Sequence, residues 1–233
     1  MHRLILKNKN LKNVCDLAVQ ISDPFLVAQD PWSNQRVVSL LRAMSSLTLN
    51  DVGMTLLEAQ ACPRNQCFEI FSNENIQLAV FIIPGGQKLH LHDHPGMAVI
   101  SKLLVGELQV SSYSQIGPRE ELGIPVELSG VERKRHDIDD PWCLSALVKN
   151  FHEFTAIGDP CVVFEALFPP YGDDHRECTY YNISSPLSSP LSSQSAASDK
   201  KKSTSYLVPV PPPADGPIAV HAPVIPPFVG MGI

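Results

Sequence analysis

The sequence predicts a mainly β, single-domain protein: a barrel or sandwich of short strands with a helical segment at its N-terminus. From residue 67 onward, runs rich in β-branched and aromatic residues are separated by turn residues, with no alternating helices between them. Residues 1–60 instead space their apolar side chains at helical intervals. A chain of 233 residues is long enough to bury one core of ordinary size.

Helical periodicity is clearest in two stretches of the N-terminal segment. The first has apolar residues at positions i, i+3, i+4 and i+7, which are Leu11, Val14, Cys15 and Ala18. The second starts after Ser33 and places its apolar residues between 37 and 47. A further short helix is predicted within 47–56, with Asn50 or Asp51 as its N-cap.

The region 61–182 is predicted to form the barrel. Apart from a strand that contains several histidines, its predicted strands are 67–71, 76–83, 98–105, 107–113, 144–156 and 161–167. The first two flank the turn residues 72–75 and are expected to pair as a hairpin. The third and fourth flank Gly106 and are expected to form a second hairpin.

Two segments follow the predicted barrel. Residues 183–203 are mostly Ser, Pro, Ala and Lys, with too little apolar surface to offset the entropy of ordering, so disorder is expected. Residues 204–233 are proline-rich but apolar. Because proline cannot donate to a ladder, this tail is expected to lie on the barrel as an edge strand or polyproline-like strap.

Charge and cysteine usage exclude several classes of protein. A net charge of −6 argues against a broad nucleic-acid surface. No apolar run approaches the ~18 residues of a membrane span, and lysines interrupt the apolar stretch near Met1 that a secretory signal would need. The six cysteines contain no C-x-x-C pair, so reduced thiols are expected. We expect a monomer in the cytoplasm, with the nucleus as a second compartment left open.

The most informative motif is a run of three histidines, His90, His92 and His94, at alternate positions between a glycine pair and a Pro-Gly turn. In an extended strand all three would face the same way, and an H-x-H pair can reach one transition-metal ion. Spacing alone leaves open which two bind. Among the other histidines, His152 lies in a strand-like run and is the best candidate for a third ligand, expected from the opposite wall of the barrel.

The spacing Gly86, five residues, His92, one residue, His94, followed downstream by Gly106, resembles the first half of the cupin barrel signature. Most cupins add a glutamate that is separated from the second histidine by three or four residues. Here those positions are Ala98 and Val99, so this strand offers no carboxylate. The resemblance therefore implies a cupin, or double-stranded β-helix, with a charge-neutral ligand set.

Several separated motifs together resemble the family of cysteamine dioxygenases and plant cysteine oxidases: 91–97, 101–106, 151–156, 169–171 and 176–181. The resemblance extends from about residue 52 to 181 and reappears in the proline-rich tail. It implies one Fe(II) held by His92, His94 and His152. His90 stands where this family usually has proline, so a pocket-lining or surface position is expected for it.

The resemblance also implies an activity. Such an enzyme uses O2 to convert the N-terminal cysteine of proteins or peptides, or cysteamine, to the sulfinic acid, and can act as an oxygen sensor in an N-degron pathway. Three neutral imidazoles suit this chemistry because they favour an anionic thiolate on the metal. Two alternatives are a non-catalytic cupin that serves as a binding or scaffold module and a zinc or manganese hydrolase or isomerase, which a carboxylate ligand would suit better.

Four further residues match family positions with catalytic roles. Glu165 stands where the family typically has aspartate and would orient an iron-bound histidine or the substrate amine; a surface-strand glutamate is the alternative. Tyr171 follows a Pro-Pro turn and would point to the barrel mouth, or would only pack. Cys178 and Tyr180 match a Cys-x-Tyr pair that some members are thought to cross-link. Asp93, between two of the histidines, is expected to form structural hydrogen bonds.

Overall fold

The computed structural model describes residues 8–172, 176–184 and 204–220. Its helices are α1 (Lys9–Ala18), α2 (Pro24–Gln29), α3 (Gln35–Ser45) and α4 (Leu56–Gln60), with short 3-10 turns at Pro31–Ser33 and Leu49–Val52. Its strands are β1 (Gln66–Ser72), β2 (Gln77–Ile83), β3 (Lys88–Asp93), β4 (Ala98–Val105), β5 (Glu107–Gln115), β6 (Ile124–Arg135), β7 (Trp142–Leu144), β8 (Phe151–Ala156), β9 (Cys161–Phe168), β10 (Tyr180–Ser184), β11 (Ser205–Val210) and β12 (Ile218–Val220). The predicted mainly β class with N-terminal helices is confirmed.

The strands form two sheets. Sheet A has the order β12-β1-β2-β9-β4-β7, and sheet B closes on itself in the order β10-β11-β6-β5-β8-β3. The helices pack against one face of sheet A, where the buried apolar residues of α1 and α3 share one core with alternate residues of β2, β4 and β9. The other face of sheet A is turned toward sheet B. Both faces of its central strands are therefore buried, and all eight residues of β9 are inaccessible.

The N-terminal helices largely follow the apolar pattern. Helix α1 buries the four residues that the spacing predicted. The third predicted helix is instead a 3-10 turn capped by Thr48 rather than by Asn50 or Asp51, because the Asp51 carboxylate accepts from the Thr48 backbone N–H at 2.7 Å. Helix α2 is not predicted by periodicity. Asp23, whose carboxylate accepts from the Leu26 N–H at 3.2 Å, caps it.

One of the two predicted hairpins is correct. Strands β1 and β2 pair antiparallel, as expected. The second prediction is wrong: β4 pairs with β7 and β9 in sheet A, whereas β5 pairs with β6 and β8 in sheet B. Gly106 is therefore the corner at which the chain passes from one sheet to the other. Its φ of 92° lies in the region that favours glycine.

Replacing Gly106 with alanine is expected to lower the free energy of unfolding by about 2 kcal/mol. An added Cβ would lie 2.6 Å from the Pro160 carbonyl oxygen and 2.8 Å from Cys161 Sγ, in addition to the strain of the positive φ. Urea denaturation measures the loss. Gly86→Ala is the matched control, because Gly86 also has a positive φ, of 76°, but its Cβ would meet nothing within 4 Å. Equal losses in the two variants would contradict the steric explanation.

Two predicted boundaries differ from the structure. The single strand predicted over 144–156 is two strands, β7 and β8, separated by a loop in which the Ser145 hydroxyl accepts from the backbone N–H groups of Leu147 and Val148. Ile183 and Ser184, predicted to begin a disordered segment, instead end β10. Residues 185–203 lie outside the described residues.

The described part of the proline-rich tail forms two strands, of which one lies inside a sheet and the other is an edge strand. Strand β11 lies between β10 and β6 inside sheet B, and its one proline, Pro209, stands opposite Tyr181. Strand β12 lies at the edge of sheet A and pairs parallel with β1. The tail thus helps to close sheet B, which carries the histidines. Residues 1–7 and 221–233 are not among the described residues. No helix of the described part is long and apolar enough to cross a membrane.

Candidate metal centre

Three buried histidines converge on one point. His92 on β3 lies directly across from His152 on β8, and His94 follows the end of β3. One ring nitrogen from each lies within 4.8 Å of the others, and the Nε2 atoms of His94 and His152 are 3.2 Å apart. These three side chains could hold one metal ion. His152 comes from the neighbouring strand of the same sheet, so the predicted opposite wall is wrong.

The outer ring nitrogens of two histidines are engaged by the protein. The Nδ1–H of His92 donates to the His90 carbonyl at 2.8 Å. The Tyr171 hydroxyl donates to the Asp93 carbonyl at 2.8 Å, so its oxygen is free to accept from His94 Nδ1, also 2.8 Å away. Both bonds place the proton on Nδ1 and leave the Nε2 lone pair for a metal, as is usual for metal-binding histidines.

Burial keeps these imidazoles neutral. It lowers the pKa of His92 to about 4 and the pKa values of His94 and His152 well below the usual 6.5. Neutral imidazole is the form that binds a metal. The three-histidine group of the described residues includes no carboxylate, which agrees with Ala98 and Val99 at the positions where most cupins have their acid. Three imidazole nitrogens therefore suit a transition-metal ion of intermediate hardness, such as a divalent first-row ion.

Asn150 fixes the backbone of His94 and was not predicted from the sequence. Its Nδ2 donates to the His94 carbonyl at 2.7 Å, and its Oδ1 accepts from the His94 N–H at 3.3 Å. The same Nδ2 is 3.2 Å from the Ser145 carbonyl. An asparagine just before a strand does not by itself indicate a functional residue. Asn150 acquires this role because the β7–β8 loop packs against His94.

His90 lies apart from the other three histidines. Its side chain is 37% exposed, and its Nε2 lies 3.1 Å from both carboxylate oxygens of Asp215 in the tail. Asn65 reinforces this contact, because its Nδ2 donates to the backbone carbonyls of Lys88 and Asp215 at 2.7 and 2.9 Å. The side chain of His90 thus holds the tail, while its carbonyl orients His92.

Glu165 faces the interior of the barrel. It is 2% exposed, so the surface-strand alternative is wrong. Its neighbours on the same face of β9, Val163 and Leu167, belong to the interior clusters, and its Oε1 accepts from the Ser101 hydroxyl at 2.8 Å. Burial raises its pKa to about 7, which the Ser101 hydrogen bond only partly opposes.

Tyr171, Cys178 and Tyr180 come together beside the histidines. The Cys178 thiol lies near both tyrosine hydroxyls, and the three groups influence one another's pKa values. Tyr180 on β10 lies across from His92, with ring centroids 6.1 Å apart. Burial raises the pKa of Cys178 to about 11, so the thiol is protonated at neutral pH. The sequence could not show whether Cys178 and Tyr180 approach each other; in the structure their polar groups are near enough for each to affect the pKa of the other.

Replacing Tyr171 with phenylalanine is expected to weaken metal binding about 10- to 100-fold. The change keeps the ring but removes the oxygen that accepts from His94 Nδ1–H. Anaerobic titration with Fe(II) against a chelator of known affinity measures the effect. Tyr206→Phe is the control, since that hydroxyl donates to an exposed glutamate, Glu120, at 3.2 Å and is not among the groups that contact the three histidines in the described residues. Equal affinities for Tyr171→Phe and the unmodified protein would contradict this role.

A two-sheet β barrel in which a histidine on one strand, a second just after that strand and a third on the neighbouring strand converge is a cupin with a candidate metal site. Residues 40–225 match the protein-family model described as PCO_ADO. The chain therefore belongs to this family, that of the plant cysteine oxidases and 2-aminoethanethiol dioxygenases, which are thiol dioxygenases. The resemblance found in its sequence motifs is confirmed.

Individual relatives agree with this assignment. Plant cysteine oxidase 1 of Arabidopsis thaliana is 26% identical over 192 residues, which cover 74% of this chain and 62% of that protein. The 2-aminoethanethiol dioxygenase of Homo sapiens is 28% identical over 192 residues, which cover 71% of this chain and 71% of that protein. The chain thus spans less than two thirds of its plant relative.

Solved structures match more weakly. A protein of Klebsiella pneumoniae with a double-stranded β-helix domain is 12% identical, with a TM-score of 0.39, over 55% of this chain and 94% of that chain. An RmlC-like cupin of Desulfovibrio desulfuricans is 20% identical, with a TM-score of 0.32, over 46% of this chain and 84% of that chain. These scores are too low to carry an argument about function.

Proposed function

We propose that this protein is an Fe(II)-dependent thiol dioxygenase that oxidises the N-terminal cysteine of proteins or peptides, or cysteamine, to the sulfinic acid. The balanced reaction is R–SH + O2 → R–SO2H, in which the sulfur supplies all the electrons. The observation that carries the proposal is the convergence of His92, His94 and His152 within the span that matches the family. Two of the relatives are named for oxidation of cysteine and of 2-aminoethanethiol.

Iron, when bound, would lower the pKa of a thiol ligand and bring it together with O2. His92, His94 and His152 would hold it and would leave other coordination positions open. The His90 carbonyl and the Tyr171 hydroxyl keep the rings of His92 and His94 in the binding orientation. The ligand set is neutral, so it leaves the charge of the metal available to a thiolate.

Glu165 would serve the amine of the substrate. Both proposed substrates carry a free amine two carbons from the thiol. The Glu165 carboxyl faces the barrel interior. Burial chiefly raises the pKa of Tyr171, and Glu165 is near enough to add a small part of that shift. With its own pKa near 7, it can take up or release a proton at its carboxylate oxygens under physiological conditions. The methylene that glutamate adds relative to the family's usual aspartate extends this group further from β9.

The surroundings of the site would limit access of water. An apolar cluster of Ala79, Met97, Val99, Leu144 and Leu167 packs against Tyr171 and Cys67. Such a wall strengthens electrostatic interactions between the metal, a thiolate and Glu165. If proteins are the substrates, the oxidation state of their N-terminal cysteine would depend on the O2 concentration. That dependence supports an oxygen-sensing role in an N-degron pathway, which would operate in the cytoplasm or nucleus.

Mass spectrometry after reaction in 18O2 tests the proposal. The iron-loaded protein is incubated with a peptide that begins with cysteine and, separately, with cysteamine. A gain of two labelled oxygen atoms on the peptide establishes a protein cysteine oxidase, and a gain on cysteamine alone establishes a small-thiol enzyme. The same peptide with an acetylated N-terminus is the control, since it keeps the thiol but loses the amine.

A non-catalytic cupin is the competing function. It predicts that neither thiol changes while the metal stays bound, or that the protein is purified without metal under gentle conditions. Elemental analysis of the purified protein together with the oxygenation assay separates the two functions. Zinc in place of iron, with no oxygenation after iron is loaded, would also reject the dioxygenase.

A further inference from the structure

Asp93 lies between two of the histidines, yet its side chain points away from the metal site. It is 7% exposed and extends into a separate apolar core within sheet B, formed by Leu91, Val126, Phe151, Tyr181 and Leu207. The three-histidine group does not include it. A buried carboxylate in such surroundings is costly unless hydrogen bonds satisfy it.

Three of its hydrogen bonds lead to one short segment of chain. The Thr179 N–H donates to Oδ1 at 2.8 Å, and the Tyr181 hydroxyl donates to Oδ2 at 2.8 Å. The backbone N–H of Asp93 also donates to the Thr179 carbonyl at 3.2 Å. Asp93 therefore holds the segment from both the carboxylate and the backbone.

This segment carries two of the side chains beside the metal site. Thr179 lies directly between Cys178 and Tyr180, and side chains alternate in direction along an extended chain. Tyr181 accordingly points to the Asp93 core, while Tyr180 points to His92 and lies near the Cys178 thiol. Among the described residues, the backbone ladder between β10 and β3 has a single pair, Tyr180 and His92. The short pairing leaves Asp93 as a main attachment of this segment to β3.

We propose that the Asp93 carboxylate is a positioning residue that holds Cys178 and Tyr180 against the metal site. Its two oxygens accept from a backbone N–H and from a side-chain hydroxyl, so the segment is fixed at two points in addition to its packing. The anchoring follows from the hydrogen bonds themselves. Its effect on catalysis rests on the proposed function, because it requires Cys178 and Tyr180 to border the bound thiol.

Asp93→Leu and Asp93→Asn test the proposal in the iron-loaded protein. Leucine keeps the volume and the backbone bonds but cannot accept from Thr179 or Tyr181, whereas the asparagine oxygen still accepts from the Thr179 N–H. We expect amide hydrogen exchange at Thr179 to become at least about tenfold faster in Asp93→Leu. Exchange in β4 and β9 should not change, and asparagine should restore slow exchange at Thr179.

Catalysis provides the second readout. In Asp93→Leu, kcat/KM for the thiol substrate should fall at least about tenfold, while Fe(II) affinity stays the same. Asp93→Asn should recover most of the loss. A role in folding alone predicts instead that both variants lose stability with no selective change at Thr179, and that result would overturn the proposal. Unchanged Thr179 exchange in Asp93→Leu, or faster exchange with normal kcat/KM, would also overturn it.

If Asp93→Leu does not fold, Tyr181→Phe tests the anchoring role of Asp93 instead. It removes one hydrogen bond to Asp93 Oδ2 and keeps the ring that packs against Phe151 at a centroid distance of 5.5 Å. Faster exchange at Thr179 is expected, and unchanged exchange would overturn the proposal. Tyr113→Phe is the matched control, because Tyr113 packs against the same core. If the unmodified protein oxidises no thiol, the proposed function fails, yet the exchange data still test the anchoring.

Discussion

Replacing His152 with alanine is expected to remove the bound metal and to lower thiol oxygenation at least about a hundredfold, because loss of a ligand costs more than loss of a residue that supports one. His152 contributes one of three converging nitrogens, and no carboxylate of the described group can replace it. Metal content is measured by elemental analysis and oxygenation by mass spectrometry. Full iron content together with full activity would contradict the assignment of this ligand.

The control for this variant is His90→Ala. His90 lies on β3, the strand of His92, but it is 37% exposed and contacts Asp215. The substitution keeps the backbone carbonyl that orients His92. Metal content and activity should therefore remain within about twofold of the unmodified protein. The two variants together separate binding to the metal from the general effect of removing an imidazole.

Replacing Glu165 with glutamine is expected to stabilise the metal-free protein by about 3 kcal/mol at pH 7.5 and above. Burial raises the pKa of Glu165 from 4.5 in the unfolded chain to about 7 in the folded protein, so ionisation of this carboxyl destabilises the folded state. Between pH 4.5 and about pH 7, the folded protein keeps a proton on Glu165 that the unfolded chain has already lost. Its stability relative to the variant therefore falls as the pH rises from about 4.5 to about 7 and is constant above.

Thermal or urea denaturation across this pH range measures the difference. Glutamine can still accept from the Ser101 hydroxyl, so the packing of β4 and β9 is retained. Glu69→Gln is the control, since Glu69 is exposed on β1. A difference between Glu165→Gln and the unmodified protein that does not vary with pH would contradict the raised pKa. If Glu165 serves the substrate amine, the more stable variant should also be the less active one.

Local sequence patterns predicted the elements better than their pairing. The spacing of Leu11, Val14, Cys15 and Ala18 defines the buried face of α1, because helical periodicity depends only on neighbours along the chain. Gly106 shows where such patterns fail. A glycine between two strands suits either a hairpin or a corner between sheets, and only the partners of β4 and β5 decide between them.

The candidate site shows the same division. Alternation along the strand grouped His90, His92 and His94, and the cupin spacing and family motifs selected His92 and His94 and added His152. Neither placed His152 on the strand next to His92, since strand neighbours are set by long-range pairing. Glu165 gave no sign of its burial, because β9 is covered on both faces and a strand of this kind lacks the alternation that distinguishes inside from outside.

By itself, the sequence determined the mainly β class, the helical N-terminus, the histidine motif and the family, all of which depend on residue types and their spacing. The tertiary structure alone decided the contacts across sheets and loops. These include Tyr171 with His94, Asn150 with the His94 backbone, and Asp93 with the segment that carries Cys178 and Tyr180. Each joins residues more than fifty positions apart, and their approach depends on how the whole chain buries its apolar surface, which no local pattern specifies.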